Sequence, residues 1–187
     1  MNPFDLIEQS NLCVVTKSSG VGGDFIKELE YMSSNIIGDT FTMDQVTKDD
    51  LFNTISNKRN QINMIWLQSL YVPTPKHPDR ITNKAMYYKQ FMEKLLKNSW
   101  DNNNTNVIIT STYTSFGGGA VNMVGGNSLA YAADLIINLK PDFEYWIDKN
   151  RNGADRISGN YKNFLKKLNR IEKLDYLLKE ESNEESI

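Results

Sequence analysis

Cysteine and histidine are nearly missing from this chain of 187 residues: it has one of each, Cys13 and His77. A lone cysteine excludes a disulfide framework within the chain, which fits a reducing cytoplasm. Cys13 lies in the apolar run LCVV, so a buried small hydrophobe is expected there rather than a catalytic thiol. A single histidine with no cysteine cluster beside it gives no metal site. A basic excess is missing too: 21 Lys and Arg against 23 Asp and Glu leave a net charge of −2 and a pI near 5.5. Any nucleic-acid contact must therefore come from a local patch. No window is long and apolar enough to span a membrane, and MNPFDLIEQS has neither a basic start nor an apolar core. A cytoplasmic protein with no membrane contact is expected.

What is present suits one soluble, well-buried domain: 40% hydrophobic and 24% charged residues over 187 positions. Leu12–Val15 and Ile62–Leu67 are continuous apolar runs, the pattern of buried parallel strands. Asn35–Phe41 reads as a brief strand, and Val107–Ile109, Leu135–Leu139 and Phe143–Asp148 as further strands. Helices are predicted from an Asp24 N-cap to Met32, from Thr47 or Asp49 to about Arg59, and from Thr82 or Asn83 to about Trp100. A last helix is predicted over Tyr161–Lys179, and Met1–Ser10 reads as a short lead-in. Strands alternating with helices argue for an α/β fold, a mostly parallel sheet with helices on both faces. The domain plan is a core over residues 1–160, a C-terminal amphipathic helix over 161–179 and an acidic, disordered tail over 180–187. No internal repeat is visible.

The most informative stretch runs from Asn106 to Leu139, reading NVIITSTYTS, FGGGAVNMVGGNS, LAYAADLIINL. Two strand-length apolar runs bracket a loop with Gly117–Gly118–Gly119 and Gly125–Gly126, where backbone can approach backbone or phosphate closely. NVIITSTYTS followed by MVGGNSLAYAADLIINL resembles the core of the RecA family, most closely the recombinases of T-even-type phages. The resemblance spans residues 11 to 158. It implies a RecA-like, truncated P-loop NTPase core. It also implies a nucleotide-sensing position at the strand tip, Ser111 or, one residue on, Thr112.

A nucleoside triphosphatase of this class needs a G-x-x-x-x-G-K-[ST] loop to hold phosphate. It also needs an aspartate that organises Mg²⁺ and a glutamate that orients water. The loop motif is absent. Lys17–Gly23, within TKSSGVGGDF, follows a strand and precedes a helix but lacks Gly-Lys-Ser/Thr. One placement makes it an altered loop whose lysine has moved upstream to Lys17. The resemblance favours another, with NLCVVTKSS on the family's second core strand and the chain starting after the phosphate loop. Ser19 then stands where the family carries its catalytic glutamate, and Gln68, followed by Ser69, where it carries the metal-organising aspartate. Glutamine keeps an oxygen but loses the charge that holds Mg²⁺. The resemblance thus implies a degenerate core with no catalytic residue of its own and no metal. ATP and magnesium would enter only if shared with a partner subunit.

Other elements survive. DKNRNG, Asp148–Gly153, resembles the element from which Lys149 and Arg151 would reach a neighbouring subunit's γ-phosphate. A basic turn on a solvated edge is the plain alternative. The resemblance places DNA-binding loops at Pro73–Asn83, with Lys76, His77, Arg80 and nearby Lys84, and at Ser115–Val124, with Phe116, Gly117, Gly118 and Gly119. Solvated connections are the plain alternative there. The expected partners are a second copy of the chain or an active RecA-like protomer, with single-stranded DNA as a candidate. Three functions compete: a catalytically degenerate binding or assembly subunit in phage-type recombination or replication; an ATP-hydrolysing recombinase or helicase core with an altered or separately encoded phosphate loop; and a structural α/β module without nucleotide.

Overall fold

The computed structural model describes residues 1–37, 59–66, 84–114, 121–123 and 126–165. The chain opens with a helix that the sequence did not announce, α1 over Pro3–Glu8. Its local signals are clear: the Asn2 side chain accepts the Phe4 N–H at 3.1 Å, and proline begins the first turn, where its missing N–H costs nothing. Phe4 and Ile7 are buried beneath it.

Strand β1 (Leu12–Lys17) is the centre of the sheet, and Leu12, Cys13, Val14 and Val15 are fully buried. Helix α2 (Gly23–Met32) follows, then β2 (Asn35–Ile37) and β3 (Ile62–Trp66). The N-cap of α2 is Gly22, not Asp24, because Gly22 takes the left-handed conformation at φ 73° that the entry turn requires. Helix α3 (Lys84–Asn102), β4 (Thr105–Thr114), β5 (Val121–Met123), α4 (Gly126–Ala132) and β6 (Leu135–Leu139) come next. The described chain ends with β7 (Glu144–Asn150), β8 (Ile157–Asn160) and a 3₁₀ turn at Lys162–Phe164. Strand β4 outruns its apolar core by several polar residues because β5 pairs antiparallel with its end. That pairing corrects the loop expected over Ser115–Val124, part of which is strand. Leu165 ends the 3₁₀ turn, so no α-helix starts at Tyr161. The rest of that predicted helix, the acidic tail and the helix expected between Thr47 and Arg59 lie largely outside the described residues.

The sheet order is β2-β3-β4-β1-β6-β7-β8. Strands β2, β3, β4, β1 and β6 run parallel, and β7 and β8 continue the sheet antiparallel. Cys13 pairs with Val107 and Leu135, and Val15 with Ile109 and Ile137, so these side chains share one face with Phe4, Phe25 and Leu29 of α1 and α2. Strand alternation sends Val14, Ile65, Ile108 and Ile136 to the other face, on the side of α3. Helices thus cover both faces of a mostly parallel sheet.

The α3 face holds a polar device. Asn35 donates to Asn63 Oδ1 at 2.8 Å, Asn63 donates to Asn106 Oδ1 at 3.0 Å, and Asn106 donates to Ser99 Oγ at 2.8 Å and to the Leu95 carbonyl at 3.1 Å. Asn63 and Asn106 are wholly buried. A slip of one residue would break every bond in this ladder, so it fixes the register of three strands and of α3.

Candidate functional site

Sheet order locates the site. From β1 the chain leaves through α2 toward β2 at one edge, and from β4 it leaves through α4 toward β6 on the other side. Where two such strands part, their carboxyl ends open a crevice, the usual ligand position in open α/β sheets. Here it lies above Lys17, which pairs with Ser111. Next to it, the Ser18 and Thr112 hydroxyls are 3.2 Å apart. A cleft of about 540 Å³ sits there. Hydroxyls of Thr16, Ser18 and Thr112 and the amide of Asn138 line it on one side, with Trp146, Asp148 and Lys140 on the other. Thr16 donates to Asn138 Oδ1 at 2.5 Å across β1 and β6, and Lys140 Nζ stands 5.7 Å from the centre of the Trp146 ring.

The turn that leaves β1 is built by glycine. The Val21 N–H reaches the Ser18 carbonyl at 3.2 Å, with Gly20 at φ 74°, and Ile26 N–H then bonds to the Gly22 carbonyl at 3.0 Å to start α2. Gly22 is doubly constrained: its φ is positive, and a Cβ there would collide with the Leu139 side chain. Next to this turn lies a smaller hollow of about 250 Å³, reached by Asp24 of the first turn of α2, by Lys140 and Asp142, and by Tyr161. Asp142 and Phe143 both take left-handed backbone, at φ 58° and 61°. Such strain in non-glycine residues persists only where surrounding packing holds it, and Phe143 is held against Tyr161 at 5.7 Å. Burial, and then the Asp24 carboxylate, push the Tyr161 hydroxyl above its ordinary pKa.

This geometry corrects one expectation. The resemblance places NLCVVTKSS, which contains Leu12–Val15, on the family's second core strand. Leu12–Val15 belongs to the central strand, flanked by parallel neighbours, and runs directly into a glycine turn and a helix. Strand, turn and helix at the parting of two strands is the context a phosphate loop needs, and Lys17–Asp24 occupies it. The exposed Ser19 lies in that turn rather than on a glutamate-bearing strand. The chemistry of phosphate holding, however, does not fit. Where the motif ends in Gly-Lys-Ser/Thr, this chain has Gly22, Gly23 and Asp24, and a carboxylate in the first turn of a helix competes with any anion for the N-terminal N–H groups. A triphosphate with its magnesium does not suit these residues.

Ser111 and Thr112 lie within β4, level with the end of β1, and so at the crevice. Lys149 and Arg151 have partners inside the chain. Lys149 Nζ donates to the Ala130 carbonyl at 2.6 Å and the Tyr131 carbonyl at 3.1 Å. Arg151 donates to the Tyr131 carbonyl at 2.7 Å and pairs with Asp134 Oδ1 at 3.2 Å. Both cations sit at the C-terminus of α4, where helix carbonyls carry partial negative charge. Burial, then the neighbouring Arg151, lower the Lys149 pKa, against the pull of Asp134. Asp134, which sequence reasoning passed over, also accepts the N–H groups of Asn11 and Leu12, each at 3.3 Å. Its signal was its place between the small-residue helix and the LIINL strand. Gln68, Lys76, His77, Arg80, Phe116, Gly117, Gly118 and Gly119 lie outside the described residues, as does the Lys84 side chain at the start of α3. Among the described residues no three His, Cys, Asp or Glu side chains gather as a metal site, and no helix is long and apolar enough to cross a membrane.

No protein-family model matches the sequence, and no curated protein matches it. The fold does have solved counterparts. It is similar to the RadB recombinase, at a TM-score of 0.55 and 10% identity, over 79% of this chain and 84% of that one. It is similar as well to an ATPase domain of known structure, at a TM-score of 0.52 and 10% identity, over 79% of this chain and 80% of that one. At that identity the likeness carries architecture: a RecA-like α/β fold.

Proposed function

We propose that this chain is a RecA-like protein that does not hydrolyse ATP by itself, and that it acts as a binding or assembly subunit in phage-type DNA recombination or replication. The observation that carries this is the turn leaving β1: it stands where a RecA-like fold needs a phosphate loop, and it has Gly23 and Asp24 where lysine and a hydroxyl are needed. Support for the setting comes from the fold it shares with a recombinase and with an ATPase domain. ATP and magnesium would then belong to a partner, either an active RecA-like protomer or a site shared between subunits. Lys149 and Arg151 would serve that neighbour's γ-phosphate by exchanging the α4 carbonyls for it. Arg151, with half of its side chain exposed, is the better placed of the two. Single-stranded DNA would meet the loops that carry Lys76, Arg80, Lys84 and Phe116.

The test is ATP turnover by an active RecA-like protein from the same host system, with and without this chain, on single-stranded DNA. A change in partner turnover that Arg151→Ala abolishes, with no turnover by the chain alone, is the expected result. Turnover by the isolated chain that disappears in Lys17→Ala would overturn it in favour of an altered-loop enzyme.

A further inference from the structure

The mismatch between the β1 turn and its contents can be taken further, resting on the non-hydrolysing role proposed above. We propose that Lys17–Asp24 is a latent triphosphate cradle, held closed to phosphate by two positions, Gly23 and Asp24.

The eight positions of G-x-x-x-x-G-K-[ST] lay onto Lys17–Asp24 with no gap: Gly22 falls on the second motif glycine, Gly23 on the lysine and Asp24 on the hydroxyl residue. The backbone supports the same alignment. Gly22 has a positive φ, and a Cβ there would meet the Leu139 side chain, so both its backbone and its packing favour glycine at that place. Gly20 supplies a second left-handed residue inside the turn. Lys17 stands at the first motif position as the last residue of β1. The turn opens a helix of ten residues, long enough for its first N–H groups to act together on an anion.

Two side chains then decide what the turn can hold. At Gly23 nothing lies within 4 Å of the place a Cβ would take, so a lysine fits there without displacing a neighbour. Asp24 places a carboxylate in the first helical turn, beside a hollow that Asp142 also reaches and that Lys140 offsets. Like charge at that range disfavours a phosphate, and the carboxylate also satisfies the helix dipole that a phosphate would otherwise satisfy.

The experiment is equilibrium binding of a fluorescent ATP analogue with Mg²⁺, and of inorganic triphosphate, to the full chain and to two variants. The variants are Gly23→Lys with Asp24→Thr, and Asp24→Asn alone. We expect no saturation by the parent chain, a gain of roughly tenfold or more for the double variant, and a smaller gain toward inorganic triphosphate for Asp24→Asn. Circular dichroism melting shows whether each variant is folded, and Asp24→Asn adds no bulk, so it carries the test if the double variant does not fold. Folded variants that bind no better than a non-binding parent overturn the latent cradle while leaving the partner-dependent role intact. A parent chain that binds the analogue as well as the double variant does overturns both.

Discussion

Replacing Arg151 separates two jobs that one side chain could do. In the free chain its guanidinium joins β7 to the end of α4: NH1 pairs with Asp134 Oδ1 at 3.2 Å and NH2 donates to the Tyr131 carbonyl at 2.7 Å. Half of the arginine side chain is exposed whereas Asp134 is 11% exposed, so the ion pair is screened on one side only. Such a pair contributes up to about 1 kcal/mol. The bond to a helix-terminal carbonyl adds about 0.5–1 kcal/mol. Asp134 keeps the Asn11 and Leu12 N–H groups, so it is not left stranded and no large burial penalty follows. Arg151→Met should therefore cost about 0.5–2 kcal/mol, a fall in Tm of about 1–8 °C for a chain of this size. Arg151→Lys, which keeps the charge but not the two-pronged geometry, should lose about half as much. Thermal melting by circular dichroism reads both, and about 0.5 M salt should shrink the difference between them and the parent. A melting point within a degree of the parent in Arg151→Met would refute a capping role for this arginine. If such a variant nonetheless alters a partner's ATP turnover, Arg151 is free of that cap and committed to the neighbour.

Two further outcomes follow from buried groups. Asn63→Leu removes the middle rung of the ladder and leaves Asn106 Oδ1 without its donor from β3, while Asn35 retains its bond to Gln61 at 2.8 Å. One orphaned buried acceptor and two lost bonds should cost about 2–4 kcal/mol, read as a lower urea midpoint at unchanged slope. A loss below about 0.5 kcal/mol would show the ladder to be neutral packing. Alkaline pH should unfold the chain early. Burial pushes the Cys13 thiol far above its ordinary range, and the Tyr145 and Tyr161 hydroxyls also upward. Raised folded pKa values mean that the native state holds these protons more tightly, so stability is intact below the unfolded values and falls as pH rises past about 8.5 for the thiol and about 10 for the tyrosines. Cys13→Ala should remove the first part of that fall. A stability profile flat from about pH 8 to about 10 in the parent would contradict it.

The sequence was most legible where burial is continuous and least where a polar residue does structural work. Leu135–Leu139 was read to the residue and Ile62–Trp66 nearly so, because each is a short run of apolar residues broken by a single asparagine. Strand β4 was read only over its apolar middle, since its pairing with β5 and its buried Asn106 look polar and loop-like in sequence. Helix α1 was missed although Asn2 and Pro3 spelled its start, for a six-residue helix leaves too little periodicity to see.

The phosphate loop shows where local motif and global order part company. A missing Gly-Lys-Ser/Thr admits two explanations, a lost segment or a rewritten one, and residue types alone cannot choose between them. Strand order can. A parallel strand with partners on both sides, Val107 and Leu135 against Cys13, has to be central, and the turn that follows it stands at the parting of β1 and β4. Lys17–Asp24 thus stands where a phosphate loop would, with left-handed backbone at Gly20 and Gly22 and a carboxylate, Asp24, in the first turn of the helix. Backbone constraint and side-chain chemistry have separated at this site: Gly22 cannot change without colliding with Leu139, whereas Gly23 faces open space and could change without steric cost. In this turn packing leaves the side-chain position open at Gly23 and crowds it at Gly22.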